Sequence, residues 1–449
     1  MEKFKLFGTD GIRGKANFFP MTPEIALKVG MAVAKLFREK NHRHECRIVI
    51  GKDTRLSGYL LENALTAGIL SQGVRVFIVG PIPTPAIAHL AKSLDCDAGI
   101  MLTASHNPAE DNGIKIFGSD GFKLSDEMES KIEKMVYENH FGEGQKIGKA
   151  HRVDDAKGRY IEFVKNSIGN FSLSGLKIVL DCANGAAYQV APWVFSELGA
   201  EIVALNDNPD GNNINLDCGA LFTEKISKKV LELKADFGIA FDGDGDRAIF
   251  VDENGKIIDG DKIMALCAIE LKKQNLLKKN TIVATVMSNF GFENALKEKG
   301  ITVLRAQVGD KNVLCELQKN SLNFGGEQSG HIIFLDYSTT GDGIIAGLQV
   351  AKILKQSSKK FSEISKVFEQ VPQILINIKV KEKIPFEKMP LVSKKILEIE
   401  KKLSGNGRVL VRYSGTENIA RVMVEGKSEK DVKKFAEEIS LEIRKEIGC

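Results

Sequence analysis

The sequence predicts an α/β protein: three related α/β domains with mixed sheets and strand-helix-strand crossovers, followed by a smaller C-terminal α+β domain. Three observations predict it. A chain of 449 residues is too long for one ordinary core. One order of elements recurs three times, and the last part of the chain abandons that order.

Residues 47–79, RIVIGKDTRLSGYLLENALTAGILSQGVRVFIV, open with a short apolar strand and a Gly/Ser-rich loop. An amphipathic helix follows, closed near Gly73, and a second strand ends the unit. Residues 176–205, LKIVLDCANGAAYQVAPWVFSELGAEIVAL, repeat the order around an Asn-Gly turn, with Gly199 as the stop. Residues 281–304, TIVATVMSNFGFENALKEKGITVL, repeat it again, with Gly300 as the stop. Each unit is a crossover, which implies neighbouring parallel strands. The units lie roughly 100–130 residues apart, too far for a solenoid. Beyond them, a Lys/Ser/Glu-rich helix near 349–370 precedes the strand ILINIKV. A helical segment around 387–402, the strands RVLVRYS and ARVMVEG, and a final helix from Ser428 complete the chain. The expected domains are 1–155, 156–254, 255–368 and 369–449.

Charge and cysteine usage exclude several classes. Sixty-three Lys+Arg against 59 Asp+Glu give a net charge of +4 with no long basic block, so nucleic acid is not an expected partner. Seven cysteines, at 46, 96, 182, 218, 267, 315 and 449, form no CxxC pair and are odd in number, which argues against a disulfide framework or zinc knuckle. Free thiols fit a reducing cytoplasm. The N-terminus MEKFKLFGTDGIRG meets charge and glycine too soon for a signal segment, and no apolar run is long enough to span a membrane.

The densest chemistry lies in FDGDGDRAIFV. Asp242, Asp244 and Asp246 alternate with glycines between two apolar strands. Glycine permits the tight turn that lets the carboxylates converge, and a hard divalent cation relieves their repulsion. The spacing mimics an EF-hand loop, with Glu253 at the twelfth position. Arg247 stands where that loop requires glycine, however, and strands rather than helices flank it. Magnesium fits better. Three aspartates are few ligands for its octahedron, and a phosphate often supplies the missing oxygen. A phosphorylated Ser105, in TASHNP, provides both that oxygen and a group to transfer.

In chain order, FGTDGIRG at 7–14, TASHNP at 103–108, DGDGDR at 242–247, GEQSGH at 326–331 and RYSGTEN at 412–418 resemble the signatures of the α-D-phosphohexomutase superfamily. The resemblance implies four domains around a central cleft, and a Ser105 phosphorylated at rest. It implies Mg2+ held by Asp242, Asp244, Asp246 and an oxygen on Ser105, with a hexosamine 1,6-bisphosphate as primer. Gln328, between Glu327 and Ser329, points to the glucosamine branch: interconversion of glucosamine 6-phosphate and glucosamine 1-phosphate, feeding UDP-N-acetylglucosamine and peptidoglycan synthesis. A phosphomannomutase/phosphoglucomutase is the alternative, and a metal-dependent phosphatase a more distant one.

The same resemblance assigns Lys115 to acid/base work, and a lysine sharing a cleft with Arg13 and magnesium is expected to have a lowered pKa. His331 serves in the same exchange, and Arg13 and Arg247 clamp charge on the phosphoryl group. Glu327 and Ser329 meet the sugar. Arg412, Ser414, Gly415, Thr416 and Arg421 cradle the non-reacting phosphate. His106 is assigned to loop structure or phosphate contact. Expected partners are small hexosamine phosphates, with no membrane, for a monomer or homodimer. Tyr413 and Asn418 replace the family's prolines in the last loop, and GDKNV, with Lys311 and Asn312, replaces GDRYV.

Overall fold

The computed structural model describes residues 5–8, 10–40, 45–139, 141, 146–414 and 418–449. All three crossovers form. Strand Arg47–Lys52 pairs in parallel with Arg75–Pro81 on one side and Ala98–Leu102 on the other, and the latter pairs antiparallel with Asp111–Gly118. Strand Lys177–Asp181 repeats this with Glu201–Leu205 and Phe237–Phe241, the latter antiparallel to Ala248–Asp252. Thr281–Thr285 repeats it with Thr302–Ala306 and Phe324–Gly326, the latter antiparallel to Ile332–Phe334. The repeat legible in the sequence is thus a repeat of sheet topology, with one antiparallel hairpin closing each otherwise parallel set. Additional edge strands extend the first sheet to seven strands and the second to five.

These strands form because helices cover both faces. Ile48, Val49 and Ile50 are all buried, as are Ile178, Val179 and Leu180, so neither set alternates with polar residues. Gly73, Gly199 and Gly300 follow their helices with φ of 76°, 93° and 66°, the left-handed stop that ends a helix without a Cβ penalty. One buried cluster runs through the three sheets and includes Ile87, Met101, Phe195, Ile239, Phe250 and Ile345.

The C-terminal unit has a separate core containing Ile378, Val422 and Ile439. Its antiparallel sheet places Ile419–Gly426 between Gln373–Lys379 and Gly407–Tyr413, packed against helices Pro390–Leu403 and Glu429–Ile447. Ser428 caps the last helix, accepting from the Asp431 amide at 3.3 Å. The helix expected near 349–370 instead spans Gly343–Ser357, followed by the short helix Phe361–Ile364. Asp342 starts it by accepting from the amides of Ile344 and Ile345, and left-handed Ser358 (φ 53°) stops it. No helix among the described residues is long and apolar enough to cross a membrane.

Residues 287–290 join the C-terminal unit to the third sheet. Glu425 accepts from the Phe290 amide at 3.0 Å, Arg408 donates to the Ser288 carbonyl at 2.6 Å, and the Asn289 side chain bonds both polar backbone atoms of Val371. Beneath this junction Asp261 is fully buried and accepts from the Asn289 amide at 2.8 Å. Burial, reinforced by Asp259, pushes its carboxyl up to about 7. Between its unfolded value and 7 the folded chain holds a proton that the unfolded chain has released. Stability therefore falls as pH rises through that window and levels off above it. Asp261→Asn is expected to match wild type in melting temperature near pH 4 and exceed it increasingly up to pH 7.5.

Candidate active site

The signature loops occupy corresponding positions. Residues 103–110, 242–247 and 327–331 each connect the third strand of a repeat to its antiparallel partner. They therefore lie at the carboxyl ends of parallel strands, where open α/β sheets bind ligands. Residues 414–418 connect the last two strands of the C-terminal sheet, and of these Gly415 and Thr416 lie outside the described residues.

Ser105 and the acidic loop meet although 137 residues separate them. The Ser105 hydroxyl donates to Asp242 Oδ2 at 2.7 Å, and the side chain is buried. Close approach requires Gly243, because a Cβ there would lie 2.5 Å from the Ser105 carbonyl oxygen. Ser105 has φ 52°, a left-handed conformation uncommon for a non-glycine residue. What holds it is Arg55, a residue not singled out in the sequence. The Arg55 guanidinium is fully buried and donates to the carbonyls of Ser105 (3.0 Å), Asn107 (2.9 Å) and Asp111 (3.0 Å), and to that of Pro108. Its Nε binds Asp53 Oδ2 at 2.8 Å, and Asp53 in turn accepts from Thr103 Oγ1 at 2.7 Å. Asn215 Nδ2 adds a second donor to the Ser105 carbonyl at 2.9 Å. The sequence signal was faint: one arginine in the Gly/Ser loop KDTRLSG.

Carboxylate oxygens of Asp242, Asp244 and Asp246 lie within 4.8 Å of one another, all buried. Burial, then Asp246 and Asp244, pushes Asp242 well above the carboxylate range. Burial opposes ionisation of Asp244 too, but Lys115 and the Thr84 hydroxyl outweigh it and hold Asp244 below that range. Asp244 Oδ1 and Asp246 Oδ1 are buried without a hydrogen-bond partner. Convergent, unsatisfied hard oxygens fit a divalent cation such as magnesium.

Lys115 Nζ lies 2.9 Å from Asp244, 3.3 Å from Asp246 and 3.3 Å from Asp10. This reverses the expected lowering of its pKa. Burial would push the ammonium down, but Asp10, Asp244 and Asp246 together hold it well above its ordinary value. Arg13 pairs with the same Asp10. Arg247 Nε lies 3.9 Å from Asp246, and residue 247 forms a β-bridge with His331. His331 is buried, its Nε2 4.0 Å from Asp246, and neither ring nitrogen has a hydrogen-bond partner. Ser105, Lys115, Arg13, Arg247, His331 and the three aspartates thus form one cluster. His106 stands beside it, 3.4 Å from Ser105 Oγ, with its pKa lowered to about 4 by burial and then by Arg247 and Arg13.

The remaining loops turn out differently from one another. Glu327 accepts from the Gly309 amide at 3.0 Å, whereas Ser329 is exposed. Gln328 points to Asp259 at 3.3 Å. Arg412 and Arg421 stand directly opposite each other on paired strands. Like charges so placed repel, which burial and Arg421 register together as a lowered Arg412 pKa, and an anion between them removes the cost. The Ser414 carbonyl accepts from Lys383 Nζ at 2.8 Å. Tyr413, in place of the family's proline, stacks on Phe386 at 4.4 Å and donates to the Ile384 carbonyl. Lys311 faces away to Glu129 at 3.2 Å and to Asp126.

Four models of the phosphoglucomutase/phosphomannomutase family match the chain in order: alpha/beta/alpha domain I over residues 4–143, II over 158–255, III over 259–371, and the C-terminal domain over 375–442. The chain belongs to the phosphoglucomutase/phosphomannomutase family. Within this family it is 52% identical to a phosphoglucosamine mutase of Citrifermentans bemidjiense, covering 99% of this chain and 98% of the relative. It is 51% identical to a phosphoglucosamine mutase of Bdellovibrio bacteriovorus, with full coverage of both chains. Among solved structures, a phosphoglucomutase/phosphomannomutase family protein of Burkholderia thailandensis superposes with a TM-score of 0.81 at 25% identity, over 98% of this chain and 97% of that one. An N-acetylphosphoglucosamine mutase of Aspergillus fumigatus, solved with GlcNAc-6P and magnesium, shares the phosphohexomutase fold at a TM-score of 0.66 and 18% identity, over 99% and 96% of the two chains.

Proposed function

We propose that this chain is a magnesium-dependent phosphoglucosamine mutase, interconverting glucosamine 6-phosphate and glucosamine 1-phosphate through phosphorylated Ser105 and a bound 1,6-bisphosphate. The observation that carries this reading is the Ser105 hydroxyl 2.7 Å from Asp242, inside a cluster of three convergent aspartates. The names of the half-identical relatives support glucosamine as the sugar. Residues 1–155 carry the nucleophile, 156–254 the metal loop, 255–368 the sugar loop and 369–449 the phosphate loop. Seven free cysteines support a cytoplasmic setting.

The chemistry follows from the placement. In the first transfer the bond from phosphorus to Ser105 Oγ breaks as one forms to the free sugar hydroxyl. The hydroxyl proton leaves to a base, and the departing serine oxygen takes one up. His331, with two unpartnered buried nitrogens, suits the sugar hydroxyl. Lys115, held as an ammonium, suits the serine oxygen and neutralises developing charge. Asp242, Asp244, Asp246 and a phosphoserine oxygen would hold magnesium, which supplies further neutralisation on the phosphoryl oxygens. Arg13 and Arg247 complete the clamp. Arg412 and Arg421 bind the phosphate that is not reacting, so the bisphosphate turns end for end without being lost. The second phosphoryl group then returns to Ser105.

Turnover of glucosamine, glucose and mannose phosphates, compared with magnesium present, tests the reading. Preference for a neutral sugar overturns the glucosamine assignment, and steady release of inorganic phosphate would mark a phosphatase. Chelation is expected to stop turnover and added Mg2+ to restore it. Asp244→Asn should raise the Mg2+ concentration giving half-maximal rate by at least the roughly 10–100-fold typical of outer-shell changes.

A further inference from the structure

Beyond the cluster just described, three side chains complete a circuit. Lys123 Nζ binds Asp10 on one side and Asp310 on the other. Asp310 lies 3.9 Å from His331 Nε2, His331 lies 4.0 Å from Asp246, Asp246 lies 3.3 Å from Lys115, and Lys115 lies 3.3 Å from Asp10. Carboxylates and nitrogen bases thus alternate around a closed ring of six side chains. Asp10, Lys115 and Lys123 come from the unit with the first sheet, Asp246 from the second, and Asp310 and His331 from the third. Two further contacts, Lys311 with Glu129 and Thr339 Oγ1 with the Gly121 carbonyl at 2.6 Å, follow the same seam but do not reach the cluster.

We infer that Lys123 and Asp310 are a positioning pair that docks the His331 loop against Ser105 and Lys115. Lys123 places one ammonium between a carboxylate of each unit, inside the cluster. Its side chain is about nine-tenths removed from solvent, and Asp10 and Asp310 have side-chain exposures of only 22% and 16%. Without the ammonium, Asp10 keeps Lys115 and Arg13, but Asp310 loses its lysine and faces Asp10 with no bridge between them, and the third unit would withdraw. A shift of about 1 Å in a catalytic group costs about a hundredfold in rate. The loss should fall on kcat far more than on KM, because the phosphate-binding arginines lie on the C-terminal unit and stay in place, although Glu327 moves with the loop.

The inference rests on the mutase reading for its kinetic arm, so the experiment carries an arm that does not. Lys123→Met, Asp310→Asn, their combination and Lys123→Arg are compared with wild type for kcat and KM with glucosamine 6-phosphate. Hydrogen–deuterium exchange of the peptide spanning 324–334 is followed in parallel. Each loss-of-charge variant is expected to lower kcat by about 10–100-fold with KM within about threefold. The combination should be no worse than the worse single change, Lys123→Arg should recover much of the rate, and exchange at 324–334 should rise in both single variants. Unchanged kcat, losses that multiply in the combination, or unaltered exchange overturns the inference. If wild type shows no mutase turnover, the functional reading fails, and the exchange comparison alone decides whether the pair holds the loop.

Discussion

Ser105→Ala is expected to lose mutase turnover by on the order of 10⁴-fold or more, the scale on which removal of a covalent nucleophile acts. No neighbouring hydroxyl takes over: Thr103 Oγ1 is committed to Asp53 and Thr84 Oγ1 to Asp244. Intact mass should show wild type heavier by one phosphoryl group and the variant without it. Ser105→Gly sharpens the test. It removes the same hydroxyl but relieves the left-handed backbone at φ 52°, a cost of about 1 kcal/mol for a residue bearing a Cβ. The glycine variant should therefore be equally inactive yet melt no lower than Ser105→Ala. A Ser105→Ala protein that turns over at near wild-type rate, with an unprimed and unmodified wild type, would refute the phosphoenzyme.

Arg55→Met is expected to be the most damaging change outside the reacting groups. The buried guanidinium neutralises buried Asp53 and satisfies the carbonyls of Ser105, Asn107, Pro108 and Asp111. Methionine fills much of the volume but leaves a buried carboxylate without its counter-ion, which costs about 3–5 kcal/mol. The serine loop also loses its anchor, so kcat should fall about a hundredfold in whatever protein remains folded. Arg55→Lys should resemble Arg55→Met more than wild type, because an ammonium cannot reproduce the planar fork that reaches four carbonyls. Urea unfolding and kcat at a temperature where each variant is folded read the two effects separately. Normal stability and normal turnover in Arg55→Met would remove Arg55 from this role.

Much of this molecule is written in short-range signals. Apolar strands followed by helices that stop at Gly73, Gly199 and Gly300 reveal the repeated crossovers, and the loops stand out by their glycines, aspartates and serines. What escapes is whatever depends on partners far along the chain. Arg55 acts on main-chain carbonyls, which carry no residue-type signature. The charge of Lys115 is set by Asp10, 105 residues earlier, and by Asp244, 129 residues later, so local reading gave the wrong direction. Gln328 marks a branch of the family in the sequence, but the partner that holds its side chain, Asp259, lies 69 residues earlier. Lys311, which stands in place of the family's arginine, pairs with the helix of the first unit, a partner no local pattern reveals. The start of the helix at Gly343 depends on Asp342, which also accepts from the Tyr160 hydroxyl across 182 residues.

The shared location of the three hairpin loops bears on how such a protein changes over generations. Three connections of one topology carry three different sets of side chains, and each is bounded by its own pair of paired strands. On the proposed reading, a change of sugar through Glu327 or Ser329 has to spare His331 at the end of the same loop, whereas Ser105 and the three aspartates stay on the other two loops, out of reach of such edits.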